Sequence, residues 1–277
     1  MAKITTQKIK EMKVQGEKIS MITAYDYPTA YLADKAGIDI LLIGDSLSMA
    51  VLGDHTTVSC TMEEMIHHTK PVVKGAPNPL IVSDMPFGSY NGSKEDAIYN
   101  ATRFLKEGRC DVVKLEGGTE MAETVKAIVD AGIPVMGHIG LTPQTVSKLG
   151  GFKVQGKGEE AARGVLEDAL AIEAAGACSI VLECVPEQLA KLITSKLSIP
   201  TIGIGGGRYC DGQVLVFHDM FGLFERFTPK FVKQYMNLSA EIIRGLEQYK
   251  QEVKEGKFPE EKHAFGGIEE EELKRLY

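Results

Sequence analysis

Short apolar segments alternate with helical segments about eight times along this 277-residue chain. Glycine closes several of the helical segments, and the apolar segments are rich in Val, Ile and Leu, as buried parallel strands are. This alternation predicts an α/β fold with a parallel sheet, because two parallel strands need a long crossover connection between them. Strands are predicted over residues 19–24, 38–43, 80–82, 112–116, 133–136, 179–182, 201–204 and 215–217.

Helices are predicted between these strands and after the last one. Thr61 and Glu64 have the spacing of a capping box, and Thr228 is expected to cap the last helix. The charged segment 256–277 is expected to form a peripheral tail. Because no linker divides the chain, a single domain over residues 1–277 is predicted. The predicted helices cover residues 28–36, 61–74, 93–107, 119–131, 159–175, 186–197 and 228–252.

Polar residues stand at the carboxyl ends of several predicted strands. In a closed (β/α)8 barrel all these ends face one mouth, so the polar side chains would meet although they are far apart in the chain. A doubly wound open sheet is the alternative, but it would spread them along an edge. We therefore predict a (β/α)8 TIM barrel in which the polar strand ends converge. These residues are Asp45, Asp84, Glu116, His138 and Glu183.

One predicted strand carries two opposite charges on the same face. Lys114 and Glu116 are two residues apart, and strand side chains alternate between faces, so both point the same way. Burying either charge alone against apolar core would be costly, so these side chains need a partner or a polar cavity. A structural ion pair at a strand end is the simpler alternative to a functional site.

Composition argues against some broad classes of protein. The net charge of −7 and the sequence pI of about 5.5 disfavour a general nucleic-acid binder and a basic membrane-surface protein. No apolar run reaches the roughly 18 residues of a membrane-spanning helix, and the N-terminus does not resemble a signal peptide. The five cysteines form no C-x-x-C motif, so free thiols in a reducing cytoplasm are expected.

Three of the polar strand ends are carboxylates on successive strands. Asp45, Asp84 and Glu116 form an oxygen-only set, which suits Mg²⁺ better than Zn²⁺. Independent, solvated strand ends are the alternative interpretation. Lys114 and the Ser46 hydroxyl would suit the carboxylate of a substrate bound beside the metal.

Glu183 stands apart from this set on the sixth strand and could act as a base. Mg²⁺ at a keto oxygen, together with a nearby carboxylate base, is the equipment for enolate formation. His138, also at a strand end, is a candidate for contact with the ligand, with a structural role as an equal alternative.

Several longer segments run in order through nearly the whole chain, from about residue 4 to about residue 265. They are MITAYDY (21–27), GDSL (44–47), DMPFGSY (84–90), VKLEGG (113–118), GHIGLTPQ (137–144), Glu183 and DGQ (211–213). Together they resemble the ketopantoate hydroxymethyltransferase (3-methyl-2-oxobutanoate hydroxymethyltransferase) family. Several of the segments are long, so chance agreement is a poor explanation.

The resemblance implies a Mg²⁺-dependent (β/α)8 enzyme of pantothenate synthesis that is a homodecamer in the cytoplasm. It implies transfer of a one-carbon unit from 5,10-methylenetetrahydrofolate to 3-methyl-2-oxobutanoate, giving 2-dehydropantoate and tetrahydrofolate. No nucleic-acid or membrane partner is expected, for the reasons of charge and hydropathy given above. Carried over by motif, the metal is surrounded by Asp45, Asp84 and Glu116, and the proton acceptor is Glu183. The keto acid is held by Ser46, Asp84 and Lys114, with Asp45 and His138 as further substrate-binding candidates.

The chain departs from the family pattern at a few places. Ser48 stands where glycine is usual, Gly206 replaces the usual alanine, and the tail after Phe265 is longer than usual. The nearest alternative is a Mg²⁺-dependent lyase of the isocitrate-lyase and phosphoenolpyruvate-mutase type, which also combines a barrel with an enolate. The Lys-Lys/Arg-Cys-Gly-His-type loop of those lyases is not found in this sequence. A non-catalytic barrel would be expected to have lost at least one polar strand end.

Overall fold

Eight parallel strands form a closed barrel in sequence order. The computed structural model describes residues 2–277. The strands are β1 (Ile19–Thr23), β2 (Ile40–Ile43), β3 (Leu80–Asp84), β4 (Val112–Glu116), β5 (Val135–Gly140), β6 (Ser179–Glu183), β7 (Thr201–Ile204) and β8 (Gly212–Leu215). Each strand pairs in parallel with the next, and β8 closes the barrel on β1. The predicted single (β/α)8 barrel is confirmed.

Helices surround the barrel and connect its strands. They are α1 (Thr6–Gln15), α2 (Tyr27–Lys35), α3 (Leu47–Ala50), α4 (Met62–Gly75), α5 (Lys94–Arg103), α6 (Ala122–Asp130), α7 (Val146–Leu149), α8 (Glu159–Ala174), α9 (Glu187–Lys196), α10 (Phe217–Met220), α11 (Leu238–Lys254) and α12 (Glu270–Leu273). Every connection from β1 to β7 contains at least one of them, whereas β7 passes to β8 through a short loop. In residues 2–277, no helix is both long enough and apolar enough to span a bilayer.

The lower half of the barrel interior is filled by apolar side chains. Met21, Val112 and Met136 belong to this inner cluster, and Ile9 and Met12 of α1 close it from below. A larger apolar cluster lies between the outer face of the strands and the surrounding helices. Burial of these two clusters removes most of the aliphatic side chains from water, which is the main driving force for folding.

Strand alternation places charged residues in the upper half of the interior. On β4, Val112 belongs to the inner cluster, whereas Val113 and Leu115 belong to the outer one. Lys114 and Glu116 share the face of Val112, so they point into the barrel above it. The apolar lower half therefore forms the floor beneath a polar mouth.

The predicted capping box at the start of α4 is confirmed. Thr61 Oγ1 accepts a hydrogen bond from the backbone N–H of Glu64 at 3.2 Å, and Glu64 Oε2 accepts one from the N–H of Thr61 at 2.8 Å. The box fixes the point at which the chain leaves the loop after β2 and enters the helix.

Two strands lie elsewhere than predicted. The eighth strand is Gly212–Leu215 rather than 215–217, and Phe217 begins α10 instead. Gly212 runs so close to β1 that a Cβ there would lie 2.5 Å from the Ile19 carbonyl oxygen, so only glycine fits. The fifth strand is also displaced, because it extends through His138 to Gly140 rather than ending at 136.

The last helix begins later than predicted. Asn237, not Thr228, caps α11, because the preceding backbone is held by other partners. The N–H groups of Tyr235 and Leu238 donate to carbonyls of Met220 and Phe221 at the end of α10. These tertiary hydrogen bonds fix an irregular segment where local pattern alone favoured helix. Residues 256–277 that follow are exposed throughout.

Candidate active site

The upper half of the barrel interior holds four carboxyl side chains. Asp84, Glu116 and Glu183 are the last residues of β3, β4 and β6, and Asp45 follows β2 by two positions. Asp45, Asp84 and Glu116 are buried, whereas the Glu183 side chain remains 14% exposed. Glu183 is thus the carboxylate most accessible from the mouth.

Asp84 and Lys114 form a buried ion pair. Lys114 Nζ lies 3.0 Å from Asp84 Oδ1, each side chain being 4% exposed, and the two residues are register partners on β3 and β4. Burial alone would lower the pKa of Lys114, but the charges of Asp84, Glu116 and Asp45 outweigh it and raise the pKa to about 12. Lys114 is therefore a permanent cation in the barrel mouth.

His138 lies between this lysine and Glu183. Lys114 Nζ can only donate, so the His138 Nδ1 that lies 3.1 Å away must accept and carries no proton. His138 Nε2 then holds the hydrogen and donates it to the Leu141 carbonyl oxygen at 2.9 Å, and Glu183 Oε2 lies 3.2 Å from the same nitrogen. Both ring nitrogens therefore contact protein groups.

Gln144 joins two of the carboxylates from the loop after β5. Its Nε2 donates to Asp45 Oδ2 at 2.8 Å and to the Met85 carbonyl oxygen at 3.0 Å, while its backbone N–H donates to Glu116 Oε2 at 3.0 Å. The Tyr90 hydroxyl contacts Gln144 Oε1 and accepts from the Glu116 N–H at 3.2 Å. Both amide hydrogens, the amide oxygen and the backbone N–H of Gln144 therefore each have a partner.

Sequence reasoning assigned no role to Gln144 or Tyr90. Both residues lie in segments that carry the family resemblance, at the ends of 137–144 and 84–90. Charge at a strand end marks most of the other site residues, and neither of these side chains is charged. A buried amide four residues beyond a strand end gives no comparable signal in a single sequence.

The barrel mouth holds too little positive charge to keep all of its carboxyl groups readily ionised. Burial and the charge of Asp84 raise the pKa of Asp45 to about 7, and burial with the charge of Asp45 raises that of Glu116 well above its usual range. Lys114 opposes both shifts without cancelling them. A divalent cation would favour the ionised form of both groups, and oxygen donors suit Mg²⁺. The residues present therefore fit a hard cation.

These carboxylates do not form a preassembled metal cage. Within residues 2–277, no three His, Cys, Asp or Glu side chains are arranged to hold an ion by themselves. Mg²⁺ rarely needs such an arrangement, because it commonly uses one or two carboxylates and completes its octahedron with water and substrate oxygens. An oxygen-rich mouth is compatible with that mode of binding.

Ser46 lies at the rim of the same mouth. Its hydroxyl is 2.8 Å from the Tyr25 hydroxyl, which follows β1. Gly44 allows this arrangement, since a Cβ at that position would lie 2.8 Å from Ser46 Oγ. The unusual Ser48 is wholly buried, and its hydroxyl donates to Asp54 Oδ2 at 2.6 Å within the loop after β2.

Comparison with known families decides the relationship. The family model for ketopantoate hydroxymethyltransferase matches residues 3–261. The chain belongs to this family. Among its relatives, the 3-methyl-2-oxobutanoate hydroxymethyltransferase of Heliobacterium modesticaldum is 63% identical over 275 residues, which cover 99% of each chain.

Solved structures of other enzymes share the fold of this family member. Phosphonopyruvate hydrolase in complex with oxalate and Mg²⁺ is 12% identical, with a TM-score of 0.60 over 100% of this chain and 95% of its own. The 2,3-dimethylmalate lyase of the phosphoenolpyruvate-mutase/isocitrate-lyase superfamily is 14% identical, with a TM-score of 0.59 over 98% and 94%. At such low identity these likenesses show the fold alone, so the comparisons favour the hydroxymethyltransferase family over the lyase alternative.

Proposed function

We propose that this protein transfers a hydroxymethyl group from 5,10-methylenetetrahydrofolate to 3-methyl-2-oxobutanoate. The products would be 2-dehydropantoate and tetrahydrofolate, a step of pantothenate synthesis. Family membership over nearly the whole chain supports the proposal. The observation that carries it is the pairing of a buried ammonium with four converging carboxyl groups, because this is the equipment for holding a keto acid and removing a proton beside its carbonyl.

Lys114 and Ser46 are proposed to bind the carboxylate of the keto acid. Lys114 has three donor hydrogens, and its contacts with Asp84 and His138 leave one for a substrate oxygen. The Tyr25 hydroxyl would orient the Ser46 hydroxyl toward the same group. A charge-assisted contact of this kind is stronger than a neutral hydrogen bond and would fix the orientation of a small substrate.

Mg²⁺ is proposed to be held by Asp45, Asp84 and Glu116. When bound, it supplies a positive charge that stabilises the negative charge developing on the keto oxygen. The phosphonopyruvate hydrolase of the same fold was solved with Mg²⁺ and oxalate, which lends support by analogy. Asp84 would serve both the ion and Lys114, since Lys114 contacts its Oδ1 and the Asp45 N–H donates to its Oδ2 at 3.1 Å.

Glu183 is proposed to accept the proton from C3 of the keto acid. It is the most exposed of the four carboxylates, and one of its oxygens lies 3.2 Å from His138 Nε2. In the overall transfer, C3 forms one carbon–carbon bond to the methylene carbon of the folate, and both carbon–nitrogen bonds of that carbon break. Water supplies the oxygen of the new hydroxyl group. The proton from C3 and the two protons of water end on the hydroxyl group and on the two nitrogens of tetrahydrofolate.

A homo-oligomer, with the decamer implied by the family resemblance, is the proposed assembly. Helix α11 has no buried residue, although its apolar side chains recur on one face. Ile242, Leu246, Tyr249 and Val253 are 45–61% exposed. An apolar helix face of this size in water favours a protein partner. The groove along β8 and the loop before it, where no helix covers the barrel, would offer a second copy a place to dock. Light scattering of the purified protein tests this assembly.

The cytoplasm is the proposed compartment. All five cysteines are free thiols within the described residues, as expected in a reducing environment. Folate and 3-methyl-2-oxobutanoate are the proposed small-molecule partners, and no nucleic-acid or membrane partner is proposed.

A coupled assay tests the proposed activity directly. Purified protein is mixed with 3-methyl-2-oxobutanoate, 5,10-methylenetetrahydrofolate and Mg²⁺, and the formation of tetrahydrofolate and 2-dehydropantoate is followed. Stoichiometric appearance of both products is the expected result. A folded protein that forms neither product, under conditions in which the Heliobacterium modesticaldum relative forms both, would overturn the proposal.

A further inference from the structure

Gln144 is placed to control two carboxylates at once. Asp45 follows β2 and Glu116 ends β4, yet one residue from the loop after β5 contacts both. Gln144 uses its side-chain amide for Asp45 and its backbone N–H for Glu116, and it is itself only 4% exposed. One residue therefore links, through its side chain and its backbone, two strand ends that are not hydrogen-bonded neighbours in the barrel.

The surrounding hydrogen bonds fix the orientation of the Gln144 amide. Its Nε2 faces two acceptors, Asp45 Oδ2 and the Met85 carbonyl oxygen. Reversing the amide would put Oε1 against both of these oxygens, which is repulsive. On the other side, Tyr90 Oη accepts from the Glu116 N–H, so its own hydrogen is available for Gln144 Oε1.

Asp45 and Glu116 each have one carboxylate oxygen that does not contact Gln144. Gln144 takes Oδ2 of Asp45 and Oε2 of Glu116. Within residues 2–277, Oδ1 of Asp45 accepts no hydrogen bond. The basic nitrogen nearest to Glu116 Oε1 in the same residues is His138 Nδ1, and its distance of 3.7 Å is too long for a hydrogen bond. The oxygens left over are the ones that a cation could use.

We propose that Gln144 is a positioning residue for the metal site, which holds one oxygen of Asp45 and one of Glu116 so that the other oxygen of each is presented to the ion. The inference rests on the proposed function, since it assumes a cation in this mouth. Tyr90 contributes to the same positioning, because its hydroxyl bridges the β4 backbone and the Gln144 amide. Groups that orient metal ligands in this way commonly change metal affinity about 10- to 100-fold when they are removed.

The test measures metal affinity without turnover. Mn²⁺ is used as the probe, and free Mn²⁺ is followed by electron paramagnetic resonance in a titration of the full-length protein without keto acid or folate. Gln144→Met keeps the length of the side chain and removes the amide that contacts Asp45 and Tyr90, while the backbone N–H that donates to Glu116 Oε2 remains. Asn100→Leu is the matched control, because Asn100 is a half-buried amide that donates to the Ser89 carbonyl oxygen and touches no carboxylate.

We expect Gln144→Met to weaken Mn²⁺ binding about 10- to 100-fold and Asn100→Leu to leave it within about twofold of the wild type. If Gln144→Met fails to fold, Tyr90→Phe tests the same positioning, since it leaves Gln144 in place and removes only the hydroxyl. We expect Tyr90→Phe to weaken Mn²⁺ binding about threefold to tenfold. Wild-type affinity in a folded Gln144→Met protein, or in Tyr90→Phe if that is the only folded variant, overturns the inference. A wild type that binds no Mn²⁺, or an Asp45→Asn variant that binds it normally, contradicts the proposed metal site itself and with it this inference.

Discussion

The imidazole Nε2 of His138 lies 3.2 Å from Oε2 of Glu183. The other ring nitrogen, Nδ1, lies 3.1 Å from Lys114 Nζ, so the ring cannot turn over without losing both partners. Oε2 of Glu183 therefore lies beside a ring nitrogen whose hydrogen is donated to the Leu141 carbonyl oxygen. Oε1 of Glu183 accepts no hydrogen bond from the described part of the chain. This arrangement leaves one oxygen of the proposed base available at the mouth.

Replacing His138 is expected to slow proton removal more than it weakens substrate binding. His138→Phe keeps a ring in the same space and removes both nitrogens, so Glu183 Oε2 loses its polar neighbour. We expect the rate of C3–H exchange to fall about 10- to 100-fold, as small misplacements of a reacting group commonly cause. His67→Phe is the control, because His67 is exposed on α4. An exchange rate equal to that of the control would mean that His138 does not position the base.

Removal of divalent cations is expected to abolish turnover. The oxygen donors of the mouth lack enough positive charge of their own, since the pKa of Asp45 is raised to about 7 by burial and by Asp84. We expect the coupled activity to fall at least about 100-fold in excess chelator and to return when Mg²⁺ is added. Full activity in a sample verified to contain no metal would rule out the cation.

Loss of Lys114 is expected to raise KM for the keto acid. Lys114→Met removes a charge-assisted contact with the substrate carboxylate, so KM should rise about 10- to 100-fold. The change also leaves Asp84 without its cation, which lowers stability. Lys13→Met controls for that effect, because it breaks an ion pair that lies away from the mouth. In this pair, Lys13 Nζ is 2.7 Å from Asp211 Oδ2. If both variants have the KM of the wild type, Lys114 has only a structural role.

Asp219 is expected to make stability depend on pH. Burial raises its pKa from 3.8 to about 6, so the folded protein holds this proton more tightly than the unfolded chain does. The charged form is therefore the unfavourable one, and the loss of stability develops as the pH rises from about 4 to above 6. Asp219→Asn should raise the free energy of unfolding by about 1 kcal/mol at neutral pH, because solvent screens this partly exposed group, and by less at acidic pH. Denaturant titrations of both proteins at about pH 4.5 and 7.5 check it; a difference that does not grow with pH would contradict the prediction.

The barrel could be predicted from the sequence because two independent patterns agree. Apolar segments alternate with helices, and charged residues such as Lys114 and Glu116 occupy alternate positions of an otherwise buried strand. Only a closed sheet gives all the strand ends one shared mouth. The capping box of Thr61 and Glu64 was predictable for a different reason, since it depends on residues three apart in the chain.

The rest depends on tertiary contacts that no local pattern carries. The eighth strand begins at Gly212 because the backbone of β1 passes close to it, and α11 starts at Asn237 because the preceding segment is hydrogen-bonded to the end of α10. The role of Gln144 could not be predicted from the sequence, because it depends on contacts with two carboxylates that are 28 and 99 residues away in the chain. An uncharged loop residue gains such a role only after the barrel has closed.

Exchange of the C3 proton with solvent tests the role of Glu183 most directly. The keto acid is incubated in deuterated water with Mg²⁺ and without folate, and the C3 signal is followed by NMR, so that proton removal is observed apart from carbon transfer. Glu183→Gln keeps the size of the side chain and removes its basicity, while Glu187→Gln alters an exposed carboxylate paired with Arg208. We predict that Glu183→Gln slows exchange about 10²- to 10⁴-fold with keto-acid binding nearly unchanged, and that Glu187→Gln exchanges like the wild type. Exchange at the wild-type rate in a folded Glu183→Gln protein would show that another group removes the proton.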